Sequence, residues 1–215
     1  MRRMLTALTL LIAASAAAEA GACKDEVAAA LERQRKSSAF RMVTKMLAPE
    51  GIVDMTVDYV LPDRMRQVVK STADPEPVET VRVGHLAWSR REGEPWTPLN
   101  PQLTSALITQ MEDTVGKPQG ELGEFECLGK KPFGDKEYLA YLGENERPGT
   151  KPSTGPKLPD RPVRVIYVDP TTGLPMRSVF ARANKLEKPI FEARYTYPAD
   201  IKIEAPKPLK KSESQ

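Results

Sequence analysis

The chain has 215 residues, 40% of them hydrophobic and only 6% aromatic, and its 32 basic and 29 acidic side chains nearly balance. That balance, with no concentrated basic stripe outside the C-terminal tail, argues against a nucleic-acid-binding surface. The 20 prolines favour many turns and short strands over long helices, and the length suits one domain with a sizeable core.

Met1 to Ala22 carries the three-part pattern of an export signal. Arg2 and Arg3 are followed by the apolar run Met4 to Ala14. Small residues come next, with Ala18-Glu19-Ala20 and Ala20-Gly21-Ala22 as cleavage sites. The run is too short for a membrane span, which needs about 20 residues, and no later segment approaches that length. The expected location is a bacterial periplasm. Cys23 and Cys127 are the two cysteines. In an oxidising compartment an even pair points to one disulfide, and closing a loop of roughly 100 residues contributes about 4–5 kcal/mol in the chain-entropy model. The alternative is a lipoprotein anchored at Cys23. Ala20 is not the bulky aliphatic such sites usually carry there, and Cys127 would then be an orphan thiol.

Lys24 to Ser37 reads as a helix, with Val27, Ala28, Leu31 and Gln34 at helical spacing. Asp25 and Glu26 in its first turn and Arg33, Arg35 and Lys36 in its last complement the helix dipole. Phe40 to Leu47 alternates as a strand, and Pro49-Glu50-Gly51 is a turn. Ile52 to Lys70 follows as two strands around Leu61-Pro62-Asp63. In the first of them Val53, Met55, Val57 and Tyr59 alternate with Asp54, Thr56 and Asp58, so one face is apolar and one wet. Val78 to Val83 and Gly84 to Arg90 are further strands, the latter with Leu86 and Trp88 on one face. Trp96 to Pro101 is irregular. Gln102 to Val115 is a second helix with the apolar stripe Leu103, Ala106, Leu107, Met111 and Val115, and Gly116 to Gly123 ends it.

Phe125 to Leu128 and Tyr138 to Leu142 are strands around the turn-rich Lys131 to Asp135. Gly143 to Pro162 is a long loop rich in Gly, Pro, Lys and Ser. Val163 to Val168 and Met176 to Ala183 form a hairpin about Asp169-Pro170-Thr171-Thr172-Gly173, and Ile190 to Tyr197 is the last strand. From Ala205 to Gln215 the tail cannot bury enough apolar surface to order itself. The expected organisation is a signal peptide over 1–22, one domain over 23–204 and a disordered tail over 205–215.

Two segments carry a resemblance. Gly51-Ile52-Val53 and Tyr59-Val60-Leu61-Pro62-Asp63-Arg64-Met65-Arg66 resemble a strand–proline–strand segment of the bacterial lipoprotein-carrier superfamily. That group includes LolA, LolB and the mycobacterial lipid-binding lipoproteins. Val163 to Phe180, VRVIYVDPTTGLPMRSVF, is similar to a late hairpin of the same group. The resemblance implies an α+β fold: a curved antiparallel sheet of roughly 8–10 strands forming a half-open barrel, helices plugging its concave face, and an acyl-chain cavity between. The Cys23/Cys127 pair and the long 143–162 insertion depart from the carriers.

No catalytic signature is visible. The Gly-x-Ser-x-Gly spacing is absent, and Gly116-Lys117 lacks the rest of a P-loop. His85 is the single histidine, which leaves a histidine-based metal site or a Ser–His pair little to draw on. Asp54 and Asp58 on one strand face stand roughly 13 Å apart, wide for paired carboxylate chemistry, and read as a solvated face. No cofactor and no enzymatic activity are expected. The residues expected to line a hydrophobic-ligand site or the core are Met55, Val57, Tyr59, Leu86, Trp88, Leu103, Leu107 and Met111. Methionines suit such a wall because they repack around variable apolar shapes. The functional expectation is a periplasmic binding or carrier protein for a lipid-like ligand. The competing one is an exported interaction module with a self-filled core, whose partner is a protein or another envelope component.

Overall fold

The alternation in the first two strands becomes a long hairpin in the computed structural model, which describes residues 13–49, 51–116, 122–144 and 160–207. Residues 1–12 of the expected signal peptide (1–22), 145–159 of the expected loop (143–162) and 208–215 of the expected tail (205–215) lie outside the described residues. Strand β1 (Ala39–Ala48) pairs with β2 (Gly51–Val60), so that Phe40 faces Tyr59, Met42 faces Val57 and Thr44 faces Met55. The meander continues through β3 (Arg64–Ser71), β4 (Val78–Val83), β5 (Leu86–Arg91) and a two-residue β6 (Thr97–Pro98). After the second helix come β7 (Phe125–Phe133), β8 (Lys136–Glu144), β9 (Pro162–Val168), β10 (Pro175–Arg182) and β11 (Phe191–Thr196). All eleven lie in one antiparallel sheet of order β6-β5-β4-β3-β2-β1-β11-β10-β9-β8-β7. The sheet curves without closing, so the α+β half-barrel architecture holds, with β6 and β7 as free edges.

Three local readings differ from expectation. The first helix, α1 (Ala13–Lys36), begins well before Lys24, because alanine, the residue of highest helix propensity, dominates the stretch ahead of Cys23. Thr97–Pro98 pairs with Ser89 and Trp88 as an edge strand, a position that tolerates proline because one side of the ladder is open. Lys131-Pro132-Phe133 belongs to β7 rather than to the turn, and the turn contracts to Gly134-Asp135.

Register sorts every strand residue to one of two faces. Tracing Met42 across to Val57, Gln67, Thr80 and Ser89 follows the concave face. The convex face is polar and ion-paired. Arg41 binds Asp58 through two hydrogen bonds of 2.6 and 3.0 Å. Asp58 is therefore buried and paired rather than solvated. Glu79 accepts from Arg66 at 2.5 Å and Arg90 at 2.8 Å, and Glu192 accepts from Arg177 and Arg194 at 2.8 Å each. A small apolar cluster of Ala140, Val165, Val179 and Ala181 also lies on the convex side. The segment over 197–207 forms no helix or strand. It is held where the Tyr197 hydroxyl donates to the Pro175 carbonyl at 2.7 Å and Arg64 donates to the Ile203 carbonyl at 2.8 Å.

Candidate functional site: a cleft between two helices

Helix α1 covers one half of the concave face. Cys23, Val27, Ala30 and Leu31 recur at helical spacing and pack on Phe125, Tyr141, Ile166 and Val168. Four ties fix the helix along its length. Cys23 is disulfide-bonded to Cys127, which occupies the sulfur that lipid anchoring would need. The Tyr141 hydroxyl donates to the Glu26 carboxylate. Burial, and then the charge on Glu26, push that hydroxyl well above the usual tyrosine range. Gln34 donates to the Tyr197 hydroxyl at 3.2 Å, and Arg33 donates to the Gly173 carbonyl at 3.4 Å. Gly173 closes the β9–β10 turn at φ +66°, where a side chain is strained, and a Cβ there would stand 2.0 Å from the Arg33 guanidinium. The turn itself is an Asx type, with Asp169 Oδ1 accepting from Thr171 and Thr172 at 2.8 and 3.0 Å. The local sequence thus shapes a hairpin tip on which the end of α1 rests.

Helix α2 (Pro101–Met111) covers the other half. Asn100 caps it, accepting from the Leu103 amide at 2.9 Å, and Pro101 opens it where no N–H is needed. It continues into one π turn over Glu112–Gly116. Met111 and Val115 insert against Phe40, Val57, Tyr59 and Met65, with Leu107 partly buried beside them. Phe40 and Tyr59 stack at 4.7 Å between ring centroids. This half of the barrel is filled by the chain's own side chains. Burial pushes the Tyr59 hydroxyl up to about 12. Arg82 also lies here, buried on the concave face with Nη1 on the Met111 sulfur at 2.7 Å.

Between the helices the concave face is open. A cleft of about 460 Å³ lies there, lined by Leu31 and Gln34 of α1, Asp113 and Thr114 of the π turn, and Met42, Arg164, Ser178, Phe180, Phe191 and Tyr195 of the floor. Its volume falls in the range of about 300–1,000 Å³ typical of small-molecule sites. The wall is mostly apolar, with a few polar groups. Arg164 Nε donates to Ser178 Oγ at 3.0 Å. Burial raises the Tyr195 hydroxyl above its ordinary value, an effect the nearby Arg164 charge partly offsets. A second recess of about 510 Å³ sits at the opposite edge, between β5, β6 and the first part of α2.

The residues singled out in the sequence are distributed across these regions. Val57, Tyr59 and Met111 are core beneath α2, with Met55 and Leu107 partly buried against the same cluster. Leu103 is 51% exposed at the outer end of α2. Leu86 and Trp88 share a face, as their alternation indicates, but register puts it on the side opposite Val57. There Trp88 pairs with Val81, Leu86 is 62% exposed, and both border the edge recess. The central cleft is instead lined by Leu31, Met42, Arg164, Ser178, Phe180, Phe191 and Tyr195. The alternation of Phe191, Ala193 and Tyr195 was a usable signal for part of this set. His85 is exposed at the β4–β5 turn. Among the described residues no cluster of His, Cys, Asp or Glu could hold a metal ion, and no helix is long and apolar enough to cross a membrane.

No protein-family model matches the sequence, and no curated protein matches it either. Solved structures do match the fold. The lipoprotein LppX of Mycobacterium tuberculosis superimposes with a TM-score of 0.58 at 12% identity, over 86% of this chain and 99% of LppX. LprF of Mycobacterium bovis superimposes with a TM-score of 0.54 at 13% identity, over 86% of this chain and 97% of LprF. The chain has the fold of LppX and LprF. At these identities the likeness is one of architecture, and it spans nearly the whole of both neighbours. The half-barrel therefore matches theirs as a complete unit rather than as a shared fragment.

Proposed function

We propose that the chain is an exported, non-enzymatic binding or carrier protein that holds a lipid-like hydrophobic ligand in the cleft between α1 and the π turn. One observation carries the reading. One half of the concave face is closed by Met111, Val115, Phe40 and Tyr59, yet beside it about 460 Å³ lined by Leu31, Met42, Phe180 and Phe191 stays open. Apolar walls that their own chain does not fill suit an apolar guest. The fold shared with the lipoprotein LppX, the export pattern over 1–22 and the disulfide support the same reading and an envelope location. Incubating the purified mature protein with envelope lipid extract, re-isolating it and identifying bound species by mass spectrometry tests it. Stoichiometric retention of a lipid is expected, and a protein that emerges lipid-free from every extract refutes it.

The competing reading is an exported interaction module. The observation favouring it is the exposed apolar end of the β1–β2 hairpin, where Leu47 is 64% exposed and Met46 and Ile52 lie beside it. Under that reading truncating Leu47 and Ile52 abolishes partner capture while the cleft takes up no lipid.

A further inference from the structure

Arg164 is the one arginine of the cleft wall, and it differs from the arginines of the convex face. Arg41, Arg66, Arg90 and Arg177 each sit on a carboxylate. Arg164 is half-buried on the concave side, and among the described residues its single hydrogen-bond partner is the neutral Ser178 hydroxyl. A guanidinium has five N–H donors, so four remain for another acceptor. Two described elements stand over the floor of the cleft beside Arg164. Helix α1 offers Leu31 and Gln34, and Gln34 is committed to Tyr197. The π turn offers Thr114, which donates to Gln110, and Asp113, which is exposed and already engaged. A cation facing apolar space without a counter-charge is costly unless an anion completes the site.

Register orders the side chains of the cleft floor into rows. Arg164 lies in one row with Phe180 and Phe191, the next row holds Ser178 and Ala193, and the one after it holds Tyr195 and Met42. Phe191 to Tyr195 is four residues of extended chain, about 13 Å. The guanidinium, bonded to Ser178 in the middle row, stands between Phe180 and Phe191 on one side and Tyr195 and Met42 on the other.

Resting on the carrier reading, we propose that the ligand is a single-chain acidic amphiphile. Its carboxylate or phosphate is gripped by the Arg164 guanidinium, and its acyl chain lies along the apolar floor formed by Met42, Phe180, Phe191 and Tyr195. The planar fork of arginine matches either anion bidentately. The modest volume suits one chain.

The test uses two fluorescent probes with the same tail, cis-parinaric acid and its methyl ester, titrated into the mature protein. The wild type is expected to prefer the acid by about tenfold or more, the scale of one charge-assisted hydrogen bond. Arg164→Met should bind both probes with the affinity the wild type has for the ester, and Arg164→Lys should keep part of the preference. Displacement of bound parinarate by palmitate, by lysophosphatidate and by neutral monopalmitoylglycerol then separates the head groups. Stronger displacement by palmitate assigns a carboxylate, and stronger displacement by lysophosphatidate a phosphate. Equal displacement by the neutral lipid overturns the proposal. Equal affinity of the wild type for acid and ester also overturns it while leaving the carrier reading intact. Failure of both probes to bind removes the carrier reading itself. The wild-type comparison stands even if Arg164→Met does not fold.

Discussion

Truncating the apolar stripe of α2 should expose a gradient of burial along the helix. Leu103 is 51% exposed, Leu107 is partly buried and Met111 is 1% exposed, so the helix dips into the half-barrel from its N-terminal end to its C-terminal end. Leu→Ala removes about three methylene equivalents, each worth about 0.8 kcal/mol when fully buried, so half-exposed Leu103→Ala should cost about 1 kcal/mol with no cavity term. Leu107 is only partly buried against the core beneath α2, and Leu107→Ala should cost about 1–2 kcal/mol because the surroundings can partly collapse or hydrate. Met111→Ala leaves a dry hole among Phe40, Tyr59 and Met65 and should cost about 3–5 kcal/mol, at the upper end of its class. It also strips the sulfur from Arg82 Nη1. Urea denaturation of the three variants reads the order directly, provided the m-values stay equal. Equal costs at the three positions, or Leu103→Ala as the most damaging, would refute the tilt of α2 and with it the geometry of the cleft mouth.

Gly173→Ala should destabilise by about 1–3 kcal/mol, from the left-handed backbone and the approach to Arg33. Arg33→Ala should recover part of that cost in the double mutant, and additive losses would show that the two do not touch. Cys23→Ser with Cys127→Ser should lower stability by up to about 4–5 kcal/mol yet leave a folded chain, since Val27, Leu31 and Glu26 still hold α1. Loss of the α1 signal in far-UV dichroism would contradict this. Acid should weaken the sheet through Glu79 and Glu192. Burial alone would raise both carboxyls, but Arg90 and Arg66 on the one and Arg194 and Arg177 on the other outweigh it, and both lie below the ordinary 4.5. Their contribution is full above that value and is lost as pH falls through the depressed one. Urea midpoints measured between about pH 6 and pH 3 should fall less steeply in Glu79→Gln and Glu192→Gln. A slope unchanged from wild type would remove those ion pairs from the account.

The period of each strand was legible, because alternation needs only a wet and a dry face. The sign of the alternation was not always legible. Leu86 and Trp88 do share a face, but β5 lies near an open edge with Ala87 and Ser89 towards the concave side, and small residues there look no more buried than large ones outside. The concave polar groups escaped notice for the same reason. Arg164 sits within VRVIYV, where both faces are apolar, because Val165 joins the convex cluster and Ile166 the core under α1. A run dry on both sides hides which residue faces the cleft. Asp58 read as solvated because its partner Arg41 is 17 positions away, and only register brings them together. The disulfide, by contrast, was expected from the cysteine count and the export pattern, with an anchored Cys23 as the alternative, and the Cys23–Cys127 bond decides between them.

The site is tested most directly by photocrosslinking. A fatty acid carrying a diazirine near its tail is bound to the mature protein, irradiated, and its adducts are mapped by peptide mass spectrometry. The account predicts adducts on the strands that carry Met42, Phe180, Phe191 and Tyr195, the floor of the cleft, and their loss when excess unlabelled palmitate competes. Adducts confined to the exposed Leu47–Ile52 hairpin end or to the Leu86–Trp88 edge, or adducts that palmitate does not displace, would contradict it.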